Sequence, residues 1–283
     1  MTARYRVQHT SRYDYDRSVA ASMNEARVTP LQTAWQMRLE SSIAIDPVTW
    51  NYRYTDYWGT EVRVFEVSGP HRHLDIRATS LVEIDATRRP DVASDLAWPD
   101  VRNATVHDEL IEYLTQTPVT EPPAALAALA EQIAADNPPA QAARLIAGAV
   151  HDALTYLPGV TEVRTTAVQA WAAGRGVCQD YTHLVVGALR HVGLPARYVS
   201  GYLYPGGEPQ IGDSALGESH AWVEWWLGEW AAYDPTNASA VGERHVMVGT
   251  GRDYGDVPPI KGIVAGQQSE TVMRVTVELT RLA

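Results

Sequence analysis

The chain has 283 residues, 45% hydrophobic and 20% charged, which is the composition of a globular protein long enough for one large domain or two ordinary ones. Its 23 basic and 34 acidic residues give a net charge of −11 (23 − 34) with no basic stripe to offset it, arguing against nucleic acid or an anionic membrane as a main partner. The first residues lack an apolar signal core, no run approaches bilayer length, and a single cysteine excludes an internal disulfide, so the expected location is the cytoplasm.

Residues 4 to about 90 read as strands separated by turns. Tyr5, Val7 and His9 alternate with polar or charged neighbours, as do Tyr13 and Tyr15, Ile43 and Ile45, and Leu74, Ile76 and Ala78. Turn signals fall at Asp46-Pro47, Trp58-Gly59 and Gly69-Pro70. This spacing predicts a β-sandwich-like domain over residues 1–95. Asn24, Glu25 and Arg27 lie in a loop-like stretch ending at Pro30, with a structural role or a place in the wall of a groove. Between residues 90 and 103 the chain is polar and carries Pro90 and Pro99, which marks a junction. Helical patterns follow over about 104–116, 124–136 and 140–155, the last two alanine-rich and split by Asn137-Pro138-Pro139. A short helix over Thr166–Trp171 comes just before the glycine-bracketed turn Gly174-Arg175-Gly176.

From Tyr181 the sequence continues with Leu184, Val185, Ala188, Leu189 and Val192 at helical spacing until Gly193 and Pro195 end it. Cys178 therefore falls in the first turn of a buried helix, where exposed N–H groups and the helix dipole favour the thiolate. Read alone, a single cysteine is as readily a small buried hydrophobe. A central strand is expected over Arg197–Tyr204, followed by a glycine-rich loop over 205–217 that is expected to border a substrate groove because it ends just before His220. In the strand over 218–226, His220 shares a face with Trp222, Glu224 and Trp226; Gly228-Glu229 forms the hairpin turn, and Asp234 ends the return strand within reach of His220. A strand histidine or an Asp-Pro pair is individually weak evidence. A cysteine at a helix start, then a histidine, then a carboxylate on the paired strand form a far more specific order, that of a Cys-His-Asp triad.

Several other polar residues are set aside. His183, five positions after Cys178, is turned about 140° away on a helix and is a poor base for that thiol. His9, His71, His73, His107 and His151 show no ligand spacing shared with the cysteine, and the acidic residues within 246–259 lack calcium-loop spacing, so no metal site is expected. Asp180 and Glu224 read as hydrogen-bonding or surface groups. No phosphate loop is present, and no cofactor is expected. Met273, Val275, Val277 and Leu279 alternate with Arg274, Thr276, Glu278 and Thr280 in a last strand, expected at a sheet edge.

Gly-Val-Cys178-Gln-Asp-Tyr, Pro195-Ala196-Arg197-Tyr198-Val199-Ser200-Gly201-Tyr202, Ser219-His220-Ala221-Trp222-Val223-Glu224 and Tyr233-Asp234-Pro235-Thr236-Asn237 together resemble the core of the transglutaminase-like superfamily, over about residues 140–260. The start of the chain is similar to the β-rich region that precedes this core in bacterial members, often described as cysteine proteases. The resemblance implies an α+β fold in which a nucleophile helix packs on an antiparallel sheet in a papain-like core over residues 104–283. It implies Cys178 as nucleophile, His220 as general base and acid, and Asp234 as the residue orienting the histidine. Tyr156, Trp171 and Trp222 are candidates for lining the substrate groove, with core packing as the alternative for each. The implied activity is thiol acyl transfer on a peptide or protein amide, as a cysteine protease or amidase. The alternatives are a protein-glutamine transglutaminase with an amine acceptor and a non-catalytic binding module with a vestigial triad.

Overall fold

The computed structural model describes residues 2–90, 94–217, 219–266 and 270–283. Residues 91–93 of the expected junction and Glu218 at the start of the expected histidine strand lie outside the described residues. The elements in chain order are strands β1 (Thr2–Val19), β2 (Ala21–Ala26), β3 (Gln36–Asp46), β4 (Trp50–Thr55), β5 (Glu61–Val67) and β6 (His71–Asp85), then helices α1 (Trp98–Val101), α2 (Ala104–Glu109), α3 (Ala124–Asp136) and α4 (Pro139–Ala153). Next come β7 (Thr155–Tyr156), α5 (Ala167–Ala173), β8 (Arg175–Gly176), α6 (Cys178–His191), β9 (Ala196–Leu203), β10 (Ser214–Gly217), β11 (Ser219–Trp226), β12 (Trp230–Asp234), β13 (Ser239–Ala240), β14 (His245–Gly251), β15 (Ile260–Ala265) and β16 (Thr271–Arg281).

The α+β arrangement read from the sequence is the one observed. Strands β10-β16-β1-β6-β3 form a five-stranded sheet, β15-β2-β5-β4 a four-stranded one, and β13-β12-β11-β9-β14 the sheet of the core. Period-two alternation gives the 18-residue β1 and the 15-residue β6 one long apolar face. Two different covers share that face. Tyr15, Leu74, Ile76 and Ala78 pack with Ala26, Phe65 and Val67 of the four-stranded sheet, making a sandwich. Ala3, Tyr5, Val82 and Ile84 pack instead with Tyr202, Val246 and Val248 of the core sheet.

Some elements differ from the sequence reading. Asn24 and Glu25 belong to strand β2 rather than a loop, and buried Arg27 pairs with Glu25 at 2.9 Å and Asp56 at 3.1 Å, a structural role. The helix expected over 104–116 stops at Glu109, because the buried Arg190 guanidinium takes the carbonyls of Tyr113 and Thr115 that a longer helix would turn inward. The last strand is not at an edge of the core: β16 lies between β10 and β1, and β15 pairs with β2, so both return to the N-terminal sheets. Four residues of the expected loop over 205–217 form β10 on β16.

Helix α6 is the axis of the core. Every residue from Gln179 to Arg190 is buried, with Leu184, Val185 and Leu189 packed against α3, α4 and the sheet. Gly187 lets the helix approach the segment before α3: a Cβ there would sit 1.7 Å from the Thr120 carbonyl oxygen. Arg190 near the far end of the helix is buried with no carboxylate in ion-pair reach among the described residues, yet its guanidinium donates to the carbonyls of Tyr113, Thr115, Ala196 and Arg252, tying the helix to three segments.

Candidate active site

The Cys178 helix begins where the sequence places it. Val177 is the N-cap, and its N–H donates to Asp180 Oδ2 at 2.8 Å, while Thr161 Oγ1 donates to the same oxygen at 2.7 Å. Gly176 makes room for this carboxylate, since a Cβ there would lie 2.7 Å from Asp180 Oδ2. Burial pushes the Asp180 carboxyl up against the pull of these donors. With the cap satisfied from within, the N–H groups of Cys178 and Gln179 have no carbonyl of their own helix to bond, whereas those of Asp180 and Tyr181 donate to the Val177 carbonyl at 2.8 and 3.2 Å. The cysteine is half-buried and lines a cavity of 360 Å³ with His220, Tyr198, Ser200 and Tyr156.

His220 reaches this cavity from β11. The hairpin register pairs Trp226 with Trp230 and Val223 with Tyr233, so Asp234 falls two positions from the level of His220. The carboxylate spans that offset: His220 Nε2 lies 2.7 Å from Asp234 Oδ2, leaving Nδ1 as the nitrogen available to the thiol. Asp234 is fully buried and receives four further contacts. Asn237 Nδ2 donates to Oδ2 at 2.7 Å, the N–H groups of Thr236 and Asn237 donate to Oδ1 at 3.0 and 3.1 Å, and His245 Nε2 lies 3.3 Å from Oδ2. Because His245 Nδ1 accepts the Gly242 N–H at 3.2 Å, its neutral ring carries the proton on Nε2 and donates it to Asp234.

These contacts fix the charges. Burial alone would raise the Asp234 carboxyl, but the hydrogen bonds from His220, His245 and Asn237 hold it far below the usual carboxylate range. Burial works against an imidazolium at His220, yet the hydrogen bonds and negative charges of Asp234 and Cys178 raise it to about 10. His245, on the same carboxylate, is shifted down, because there burial outweighs Asp234 and the His220 and Arg89 charges oppose a second cation. Tyr198, buried beside Cys178, is pushed far up by burial and then by the charge of that cysteine, which keeps its hydroxyl protonated.

Of the three groove candidates, the structure brings one to the cavity. Tyr156 lines it, on the two-residue strand β7 beside β8. Trp171 packs on the helical core. Trp222 is fully buried among Val199, Val241 and Met247, with its ring 6.3 Å from that of His220 and 5.4 Å from that of His245. Its place on the His220 face is as read, but that face points into the sheet's own core at position 222, so it screens the two histidines rather than contacting a groove. No residue of 205–217 lines the cavity, because that segment runs to β16. His183 is fully buried, accepts the Tyr254 N–H at Nε2 and is pushed down to about 3 by burial and then by Arg190. Glu224 is spent on Arg197 at 2.6 Å. His245, Asn237 and Tyr198 were not singled out by the sequence. The signal for His245 is a histidine at the head of the apolar run Val246-Met247-Val248, where a neutral hydrogen-bonded ring is the usual occupant.

His220, Asp234 and His245 offer ligand atoms within 4.8 Å of one another, a group that could hold one metal ion. Their ring nitrogens and Oδ2 already meet in hydrogen bonds, so an ion would have to replace the His220–Asp234 contact.

The thiol at the start of α6 thus faces one cavity with a strand histidine, whose ring is held by a buried carboxylate on the same antiparallel sheet. Residues 127–235 match the transglutaminase-like superfamily, and residues 5–83 match the bacterial transglutaminase-like N-terminal region. An uncharacterized protein of Mycobacterium leprae is 40% identical over 99% of both chains, and an uncharacterized protein of Mycobacterium tuberculosis is 33% identical over 98% of this chain and 93% of its own. The chain belongs to the transglutaminase-like superfamily. A crystal structure of a candidate cysteine protease from Cytophaga hutchinsonii shares the fold, with a TM-score of 0.76 at 19% identity, over 100% of this chain and 92% of that one.

Proposed function

We propose that this chain is a thiol acyl-transfer enzyme that acts on amide or peptide bonds with Cys178 as nucleophile, His220 as acid and base, and Asp234 as the group that orients the histidine. The observation that carries the reading is the 2.7 Å contact of His220 Nε2 with a fully buried Asp234, which leaves Nδ1 for a thiol lining the same cavity. His220 takes the thiol proton, and the thiolate attacks the substrate carbonyl. The carbonyl oxygen becomes an oxyanion received by the Cys178 N–H and the Tyr198 hydroxyl. Collapse breaks the C–N bond, His220 Nδ1 gives its proton to the departing amine, and a thioester remains on Cys178. Water then attacks the thioester carbonyl, giving a proton to His220; collapse breaks the C–S bond and releases the carboxylic acid, and the proton on His220 returns to the freed thiolate.

Hydrolysis is favoured over transfer to an amine because Tyr156, which lines the cavity of Cys178, is exposed to solvent. His245, Asn237 and Trp222 are positioning residues that act through Asp234 and His220.

The test is alkylation of Cys178 by iodoacetamide, followed by intact mass across pH, in the native protein and in His220→Ala. Fast labelling well below the range of an ordinary thiol, lost in the variant, is the expected result. Equal, slow labelling in both would overturn the reading. The acceptor is then decided by supplying a glutamine peptide with and without a primary amine and weighing the products.

A further inference from the structure

The long face of β1 and β6 is covered at one end by the four-stranded sheet and at the other by the core, and the middle is left open. There a cavity of 630 Å³ is floored by His9, Ser11 and Tyr13 of β1 and by Met273 and Val275 of β16. The β1–β16 register places Ser11 opposite Val275 and Tyr13 opposite Met273, so one face of the sheet supplies the whole floor. Core residues such as Val119 form one wall, and Ile260, with the prolines at 258 and 259 before it, forms another. The cavity continues into that of Cys178: Val163, Ser219, Tyr254 and Pro259 line both. Polar groups at its floor are already spent, since His9 Nε2 meets Ser11 Oγ at 2.8 Å and His9 Nδ1 meets Tyr202 Oη at 3.1 Å. What the floor and walls offer an occupant is therefore mainly apolar surface. The charged groups at the rim are Arg164, Lys261 and Asp253, of both signs.

We infer that this seam is the binding site for the acyl side of the substrate, and that it takes a short peptide segment of bulky apolar residues joined to the carbonyl that Cys178 attacks. The inference rests on the acyl-transfer reading of Cys178. The volume falls in the range of sites that hold a drug-sized ligand, roughly 300–1,000 Å³, and so exceeds one side chain. Because β1, β15 and β16 build it, substrate selection belongs to the N-terminal sheets as much as to the core that carries the thiol.

The experiment compares the rate at which Cys178 is alkylated by two peptide chloromethyl ketones, Ac-Phe-Leu-Gly and Ac-Gly-Gly-Gly. Each rate is divided by the iodoacetamide rate of the same protein, so that differences in thiol reactivity cancel. The apolar label is expected to be faster by about tenfold or more, the scale of discrimination an apolar pocket reaches. That advantage should disappear in Val275→Glu and in Met273→Glu, both exposed enough to accept a charge without unfolding, and persist in Val275→Ile. Equal normalised rates in the native protein, or an advantage that survives both glutamates, would overturn the seam as the subsite while leaving Cys178 as the nucleophile. Iodoacetamide labelling no faster than that of a free thiol would overturn the reading of Cys178 itself, and the subsite with it.

Discussion

Two buried regions within the core treat histidine in opposite ways. Around Asp234, His220 is raised to about 10 although burial opposes the charge, because an anionic carboxylate and the cysteine lie beside it. Midway along α6, His183 is fully buried, faces the Tyr254 N–H and the charge of Arg190, and is pushed down to about 3. Burial sets the direction by default, and one fixed carboxylate is enough to reverse it. That carboxylate is held ionised by the hydrogen bond from His220 first and then by those from His245 and Asn237, with the N–H groups of Thr236 and Asn237 as further donors. The contrast therefore depends on hydrogen-bond donors around an acid, not on depth in the fold.

Replacing the acid should break the contrast most severely. Asp234→Asn leaves the shape but removes the charge and frees the imidazole to take the wrong tautomer; amide hydrolysis should fall by on the order of 10³–10⁴-fold, measured as kcat on a peptide substrate. The second test follows stability with pH in His220→Asn. With a folded pKa raised from 6.5 to about 10, His220 contributes stability that is fully present below pH 6.5 and lost as pH rises through about 10. The deficit of the variant in urea unfolding should thus be largest at pH 6 and small at pH 10; a deficit independent of pH would show that His220 is not charged in the fold. A smaller effect is expected from His245→Gln, which removes one of five donors to Asp234: kcat should drop about tenfold, the loss of one hydrogen bond to a charged group, with KM unchanged. The smallest effect belongs to His183→Leu, which costs about 1–3 kcal/mol by stranding the Tyr254 N–H. Here the sign is the reverse. His183 is depressed, so the native protein keeps its stability above pH 6.5 and loses it as pH falls toward 3, and the variant should show a flatter acid limb.

How much of this was legible varied with the range of the contacts. Cys178, His220 and Asp234 could be read because each stands at a boundary that local sequence marks: a glycine turn before a helix, a strand of alternating aromatics, a strand stopped by Asp-Pro. For Trp222 the sequence leaves groove lining and core packing both open, because alternation tells which side chains share a face but not what lies against that face, and here it is Val241 and Met247. His245 escaped notice because it meets Asp234 only when β14 pairs with β9 on the far side of β11 from β12. The last strand is recognised as a strand, but its alternation is buried only at Val277 and Leu279, and residues 271–276 are exposed on both faces. Its partner β1 lies at the opposite end of the sequence, and no local pattern names a partner at that distance.

That partnership sets an order of events during synthesis. The five-stranded sheet needs β1, β6 and β16 side by side, and the Leu282 N–H donates to the Arg4 carbonyl at 2.7 Å beyond the end of the pairing. Until residue 281 has emerged from the ribosome, β1 keeps one edge unpaired, and the floor at Val275 and Met273 does not exist. The core, by contrast, draws its helices and its five strands from residues 98 to 251 and has all of them earlier. The thiol and its histidine can therefore meet before the seam beside them is built.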